Sequence, residues 1–182
     1  MRWLLGVGLA FMVLVSSAQA DQHDRRLDTL FPRLLRASSI SEVHKLQARI
    51  WSIWYETTNR AARRLFFTST QKMQIGDIRG ALRDLDELVR VAPDFAEGWN
   101  RRATLYYLIG DYQASLSDIN HTLALEPRHF GALSGLGLIE AERGNDRAAI
   151  DAFERVLQIN PHDTPAMGNL LILKKRLAKK SI

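Results

Sequence analysis

A stretch of 34 residues recurs three times without a gap, and no other property of this 182-residue chain restricts its fold as strongly. The blocks are residues 62–95, 96–129 and 130–163. Gly76, Gly110 and Gly144 stand at the fifteenth column, each followed by Asp77, Asp111 or Asn145. Ala81, Ser115 and Ala149 hold the twentieth column, and Leu82, Leu116 and Ile150 the next. Leu85, Ile119 and Phe153 fall at the twenty-fourth, and Pro93, Pro127 and Pro161 at the thirty-second. A unit this short has too little interior to fold alone, so its copies must stack.

The columns have direct physical readings. Each glycine is suited to ending a helix in the left-handed conformation that a Cβ penalises. The Asp or Asn after it is placed to cap the next helix through backbone N–H groups. A small twentieth residue lets the second helix come close to the first. Apolar residues at columns 21, 24 and 28 (Leu82, Leu85, Val89; Leu116, Ile119, Leu123; Ile150, Phe153, Leu157) form one stripe at helical spacing. Proline at column 32 stops the second helix. Each unit is therefore predicted to be a helix–turn–helix hairpin.

With these columns in place, the blocks resemble tetratricopeptide repeats (TPR). Trp99, Ala103, Tyr106, Gly110, Asp111, Tyr112, Ser115 and Pro127 stand at that family's signature positions, as do Leu133, Leu136, Gly137, Gly144, Ala149, Phe153 and Pro161. Block one keeps Leu65 and Ser69 but has Thr68 and Lys72 where apolar residues are usual, and Glu140 departs similarly in block three. The resemblance implies an all-α, right-handed α-solenoid of stacked hairpins whose first helices line a concave wall. More narrowly, residues 96–108 and 126–138 resemble small exported TPR proteins of alphaproteobacteria. That likeness implies a periplasmic scaffold or adaptor supporting cell-envelope integrity.

Three further segments flank the array. Residues 1–20 fit a secretory signal peptide: Arg2, an uncharged apolar run over residues 3–15, and Ala18-x-Ala20 ahead of Asp21. The run is short for a membrane-spanning helix, which needs about 20 apolar residues. An exported, periplasmic chain is the expectation, a retained N-terminal anchor the alternative. Residues 21–61 read as an N-terminal helical pair, a degenerate repeat or cap. Leu27, Leu30, Phe31, Leu34 and Leu35 lie on one short helix. A second, opened by the capping box Ser39-x-x-Glu42 and running to about Thr57, turns Val43, Leu46, Ile50, Ile53 and Trp54 inward. Trp51 and Trp54 are read as core. Residues 164–182 form a capping helix to about Ala178, with Ala166, Leu170, Leu173 and Leu177 on one side and a basic tail.

The net charge is +5, and Lys174, Lys175, Arg176, Lys179 and Lys180 account for all of it. A charge gathered in a tail does not point to nucleic acid; it suits a helix C-terminus. A weak contact with an anionic surface, lipid or cell-wall polymer, is the alternative role for those five residues. The chain has no cysteine, which excludes disulfides, thiolate nucleophiles and Cys-ligated metals. His23, His44, His121, His129 and His162 show no metal-ligand spacing, and no nucleophile or nucleotide motif occurs. His129 reads as a loop histidine bonded to a carbonyl. Asp84, Asp86, Asp118 and Asp151, on second helices, read as a solvated face. The expectation is a non-enzymatic protein without metal or cofactor.

What remains is the concave wall. Columns 2, 5, 6, 9, 12 and 13 of the first helices share it. They supply Arg63, Phe66, Phe67, Thr70, Met73 and Gln74 in unit one, and Glu97, Asn100, Arg101, Thr104, Tyr107 and Leu108 in unit two. Unit three supplies Gly131, Ser134, Gly135, Leu138, Ala141 and Glu142. Of these, Arg63, Phe67, Thr70, Gln74, Glu97, Asn100, Arg101, Thr104, Tyr107, Leu108, Ser134 and Leu138 are the candidate peptide-binding residues, mixing rings to bury anchors with amides and hydroxyls to satisfy a backbone. The partner expected is a protein or peptide segment, an envelope protein above all. Chaperone-binding members of the family grip terminal carboxylates with cations and amides at five of these columns. Here those columns hold Phe66, Thr70, Arg101, Gly131 and Gly135, so that clamp is missing.

Overall fold

The computed structural model describes residues 24–180, so the leader at residues 1–20 lies outside the described residues. Nine helices and no strand occur among the described residues. They are α1 (Arg25–Arg36), α2 (Ile40–Trp54), α3 (Arg60–Gln74), α4 (Ile78–Val91), α5 (Ala96–Leu108), α6 (Tyr112–Leu125), α7 (Phe130–Glu142), α8 (Asp146–Ile159) and α9 (Thr164–Lys180). The hairpins α3–α4, α5–α6 and α7–α8 are the three repeats, and each stacks on the next in chain order.

Gly76, Gly110 and Gly144 adopt φ of 78°, 81° and 78°, so the left-handed turn is built identically three times. Asp77 then accepts from the Gly80 N–H at 2.9 Å, and Asp111 from that of Ala114 at 3.0 Å. Asn145 differs: its side chain makes no cap bond and donates instead to Glu140 Oε2 at 2.6 Å. That bond and one from Arg143 satisfy the carboxylate that breaks the family pattern in unit three. In unit one the irregular Thr68 and Lys72 both donate to Asp84 at 2.7 Å. Burial pushes the Asp84 carboxyl up, and the bonds from Lys72 and Thr68 outweigh it, holding the group below its usual range.

Unit two ties the same columns with a bidentate pair, Arg102 donating to both oxygens of Asp118 at 2.7 and 2.9 Å and reaching Asp86 on the preceding hairpin. Asp118 is therefore buried and partnered, a correction to the solvated face expected from the sequence; Asp86 and Asp151 are exposed.

Between units, columns 3 and 10 meet the second helix of the unit before. Gly98 and Leu105, Ala132 and Ile139, and Ala166 and Leu173 are all buried there, and a Cβ at Gly98 would fall 2.1 Å from Leu88 Cδ2. Unit one has Arg64 and Gln71 in these columns, both exposed. Among the described residues no repeat precedes it.

The N-terminal pair accordingly does not stack in front of unit one as another repeat would. Helix α2 ends at Trp54, one turn earlier than its pattern suggested, and Leu35 on α1 faces solvent. The pair folds back along the array and lies across the loops that join the units. Gln47 reaches Asn160 at 3.2 Å, Asp28 meets Arg128 at 3.0 Å, and Asn59 donates to the Val91 carbonyl at 2.9 Å. Leu27, Leu34, Ile50 and Trp54 share one core cluster with Phe130, Leu133, Phe153, Val156 and Leu173.

Candidate functional site

The first helices α3, α5 and α7 present the inner wall, and the returning α2 divides it. At the N-terminal end of that wall α2 and the residues after it lie directly on the predicted groove. Trp51 packs edge-on against Phe130 at 5.4 Å between ring centres, and a Cβ on Gly131 would meet its ring tip at 2.8 Å. Tyr55 lies 5.6 Å from Phe66, and the Arg101 guanidinium sits over both rings, at 5.8 and 4.7 Å. Arg63 donates to the Thr57 carbonyl at 2.8 Å.

Beneath this cover is a buried polar cluster. His129 is fully buried and stacks on Trp54, centres 4.1 Å apart and planes 12° from parallel. Its Nδ1 accepts from the Ala132 N–H at 3.1 Å, capping α7, so Nε2 carries the proton and donates to Glu97 Oε2 at 3.2 Å. The same carboxylate accepts from Asn100 at 2.8 Å and from Arg101 at 3.1 Å. The histidine is loop-borne, as its sequence position suggests, but its partners are a carboxylate and a backbone N–H where a carbonyl was expected. Glu97, Asn100 and Arg101 are thus occupied in holding α2 in place.

Beyond this cover the wall is open. Phe67 is 62% exposed and Leu108 63% exposed. Thr104 and Gln74 also face solvent, while Thr70, Tyr107, Ser134 and Leu138 are half-buried. The hydroxyls of Thr70 and Thr104 are turned onto their own helices, at 2.8 Å to Phe66 O and 2.9 Å to Asn100 O. Tyr107 stacks on Tyr112 at 5.7 Å, and Leu138 rests against the core cluster. Sequence reasoning placed all twelve candidates on one face but missed that Trp51, Trp54 and Tyr55 cover part of it. The signal was present in Arg64 and Gln71, which leave no seat for a preceding hairpin.

The basic tail is tied down in part. Lys180 donates to Asp146 at 2.8 Å, Arg176 pairs with the same carboxylate, and Lys174 reaches Glu154 at 2.8 Å. The Lys180 hydrogen bond holds the Asp146 carboxyl below its usual range against opposing burial, with Arg176 adding to it. Among the described residues no group of three or more His, Asp or Glu could hold a metal ion, and no helix is long and apolar enough to cross a membrane.

The tetratricopeptide-repeat family profile matches residues 71–121 and 109–164, and a TPR repeat-containing protein of Rhizobium etli is 37% identical over 167 residues, covering 91% of this chain and 82% of that relative. The chain belongs to the tetratricopeptide-repeat family. Among solved structures, the first TPR domain of Spaghetti (RPAP3) bound to the HSP90 peptide SRMEEVD superposes with a TM-score of 0.64 at 22% identity, over 65% of this chain and 94% of that one. MamA superposes at 0.62 and 19% identity, over 78% and 86%. These likenesses show the stacked TPR architecture. In this member α2 and the residues after it lie against Arg63, Phe66, Arg101 and Gly131 of the inner wall, and the last three of these are among the five clamp positions.

Proposed function

We propose that this TPR protein is a non-enzymatic adaptor that holds a peptide or extended protein segment along the open part of its inner wall. The observation that carries the reading is the pair of large apolar side chains, Phe67 and Leu108, each more than three-fifths exposed on that strip. Thr104, Gln74 and Tyr107 beside them supply polar groups for a backbone. The Spaghetti domain, bound to a peptide from HSP90, supports peptide capture as a use of this fold. An acidic C-terminus of that kind is not the ligand expected here, because the clamp cations are missing and three of the five clamp positions are covered from within the chain.

The apolar leader and Ala18-x-Ala20 support export, and with it a periplasmic partner of the cell envelope. Cell fractionation with N-terminal sequencing tests the location: mature protein beginning at Asp21 is expected, and full-length protein in the cytosol would overturn it. Photo-crosslinkers at Thr104 and Leu108 test the groove. They should trap a partner that a probe at Trp51 does not. Equal capture by a Phe67→Ser, Leu108→Asp double variant would remove the inner wall from the proposal.

A further inference from the structure

We infer that α9 is the first half of a fourth hairpin, and that its open face takes an acidic amphipathic helix supplied by another protein. The repeat register carries straight into it, since Thr164 lies 34 residues beyond Phe130. In every unit, columns 4, 8 and 11 of the first helix face that unit's own second helix. Column 8 is buried there each time, as Ser69, Ala103 and Gly137. The same columns of α9 are Met167, Leu171 and Lys174, with Leu171 56% and Met167 43% exposed. Met167 also borders a cleft of about 280 Å³ whose rim includes the exposed Ile40. A capping helix ordinarily turns a polar face outward; α9 turns Met167 and Leu171 outward, uncovered among the described residues.

The occupant's charge follows from units one and two, whose second helices carry an acid at column 23 where unit three has Ala152. Lys72, at column 11 of unit one, pairs with Asp84 at column 23; in unit two the acid of column 23, Asp118, takes its cation from column 7, Arg102. Lys174 stands at column 11 of α9. Its present partner, Glu154, is an exposed carboxylate, and such pairs are weak and readily exchanged. Helix α9 carries no acidic residue, and Lys175 and Lys179 are exposed without an ion pair among the described residues. A helix reading apolar-x-acid-apolar, as Leu82-x-Asp84-Leu85 and Leu116-x-Asp118-Ile119 do, would bury Met167 and Leu171 and set a carboxylate on Lys174. Leu171 replaces a small residue, so the incoming helix stands farther off than a resident one, which suits an exchangeable partner.

The probe is a fluorescent peptide spanning residues 76–93, which contains α4, titrated against the full chain. Saturable binding is expected, weakened at least tenfold by Leu171→Asp and severalfold by Lys174→Glu. A peptide carrying Asp84→Lys should bind the Lys174→Glu chain better than the native one. Circular dichroism checks that these exposed substitutions leave the fold intact. Equal affinity for the native and Leu171→Asp chains overturns the inference. So does self-association abolished by Leu171→Asp, which assigns the face to a second copy, or pelleting with phosphatidylglycerol vesicles in the absence of peptide binding, which assigns it to lipid. Capture at Leu108 is unaffected by Leu171→Asp whichever result is obtained, so the two surfaces are tested independently.

Discussion

On one half of the inner wall, Glu97, Gly131 and Phe66 lie under or beside Trp51, Trp54 and Tyr55; on the other, Phe67, Thr104 and Leu108 face solvent. Both halves come from the same three helices and the same kind of columns. What separates them is the length of α2, which is consumed in crossing the loops between units and ends at Trp54. The chain thus sets its own aromatic residues over part of the wall that the repeat columns mark out for a ligand. It leaves free the strip beyond them. Columns shared by a repeat family predict where a surface lies, and the neighbouring segment decides whether that surface is available.

Four substitutions break or sharpen this contrast, and the largest effect belongs to the covered half. Trp54→Ala removes the ring stacked on His129 and should cost about 3–5 kcal/mol, read as a fall in the urea midpoint. Glu97→Leu leaves His129, Asn100 and Arg101 without their common acceptor and should cost about 2 kcal/mol in the same assay. Gly131→Ala gains helix propensity yet drives a methyl into the Trp51 ring; a net loss of about 1 kcal/mol is expected, and a gain would mean that α2 sits loosely. On the open half, Leu108→Asp should change stability by less than about 0.5 kcal/mol while abolishing crosslinking to the partner. An open-half variant that unfolds the chain would erase the distinction.

The hairpins and their stacking order were legible because the glycine, the small residue and the proline each act locally. The candidate wall residues came from helical spacing alone, which places side chains on one side of a helix without saying what lies over them. The placement of α1 and α2 was not legible, since an amphipathic helix shows which side it buries but not against what. Only the polar Arg64 and Gln71 in columns that are otherwise Gly, Ala, Leu or Ile spoke to it, and they spoke by exclusion. Asn145 and Glu140 illustrate a second limit: each departs from its column's usual role, and the two departures satisfy each other at 2.6 Å. Asp118 illustrates a third, where a carboxylate on an outward helix is buried by an arginine from the helix beside it.

A stacked repeat can form as soon as its own residues have been made, but Leu27 and Trp54 share a core with Phe153 and Leu173, near the opposite terminus. The first two described helices therefore wait for residues roughly 100 or more positions later in the chain before the cluster that covers their apolar sides is complete. Such distant closure slows folding and prolongs exposure to aggregation. It also ties the N-terminal pair to unit three and α9, so a chain cut short before Phe153 leaves Leu27, Leu34, Ile50 and Trp54 without much of their core.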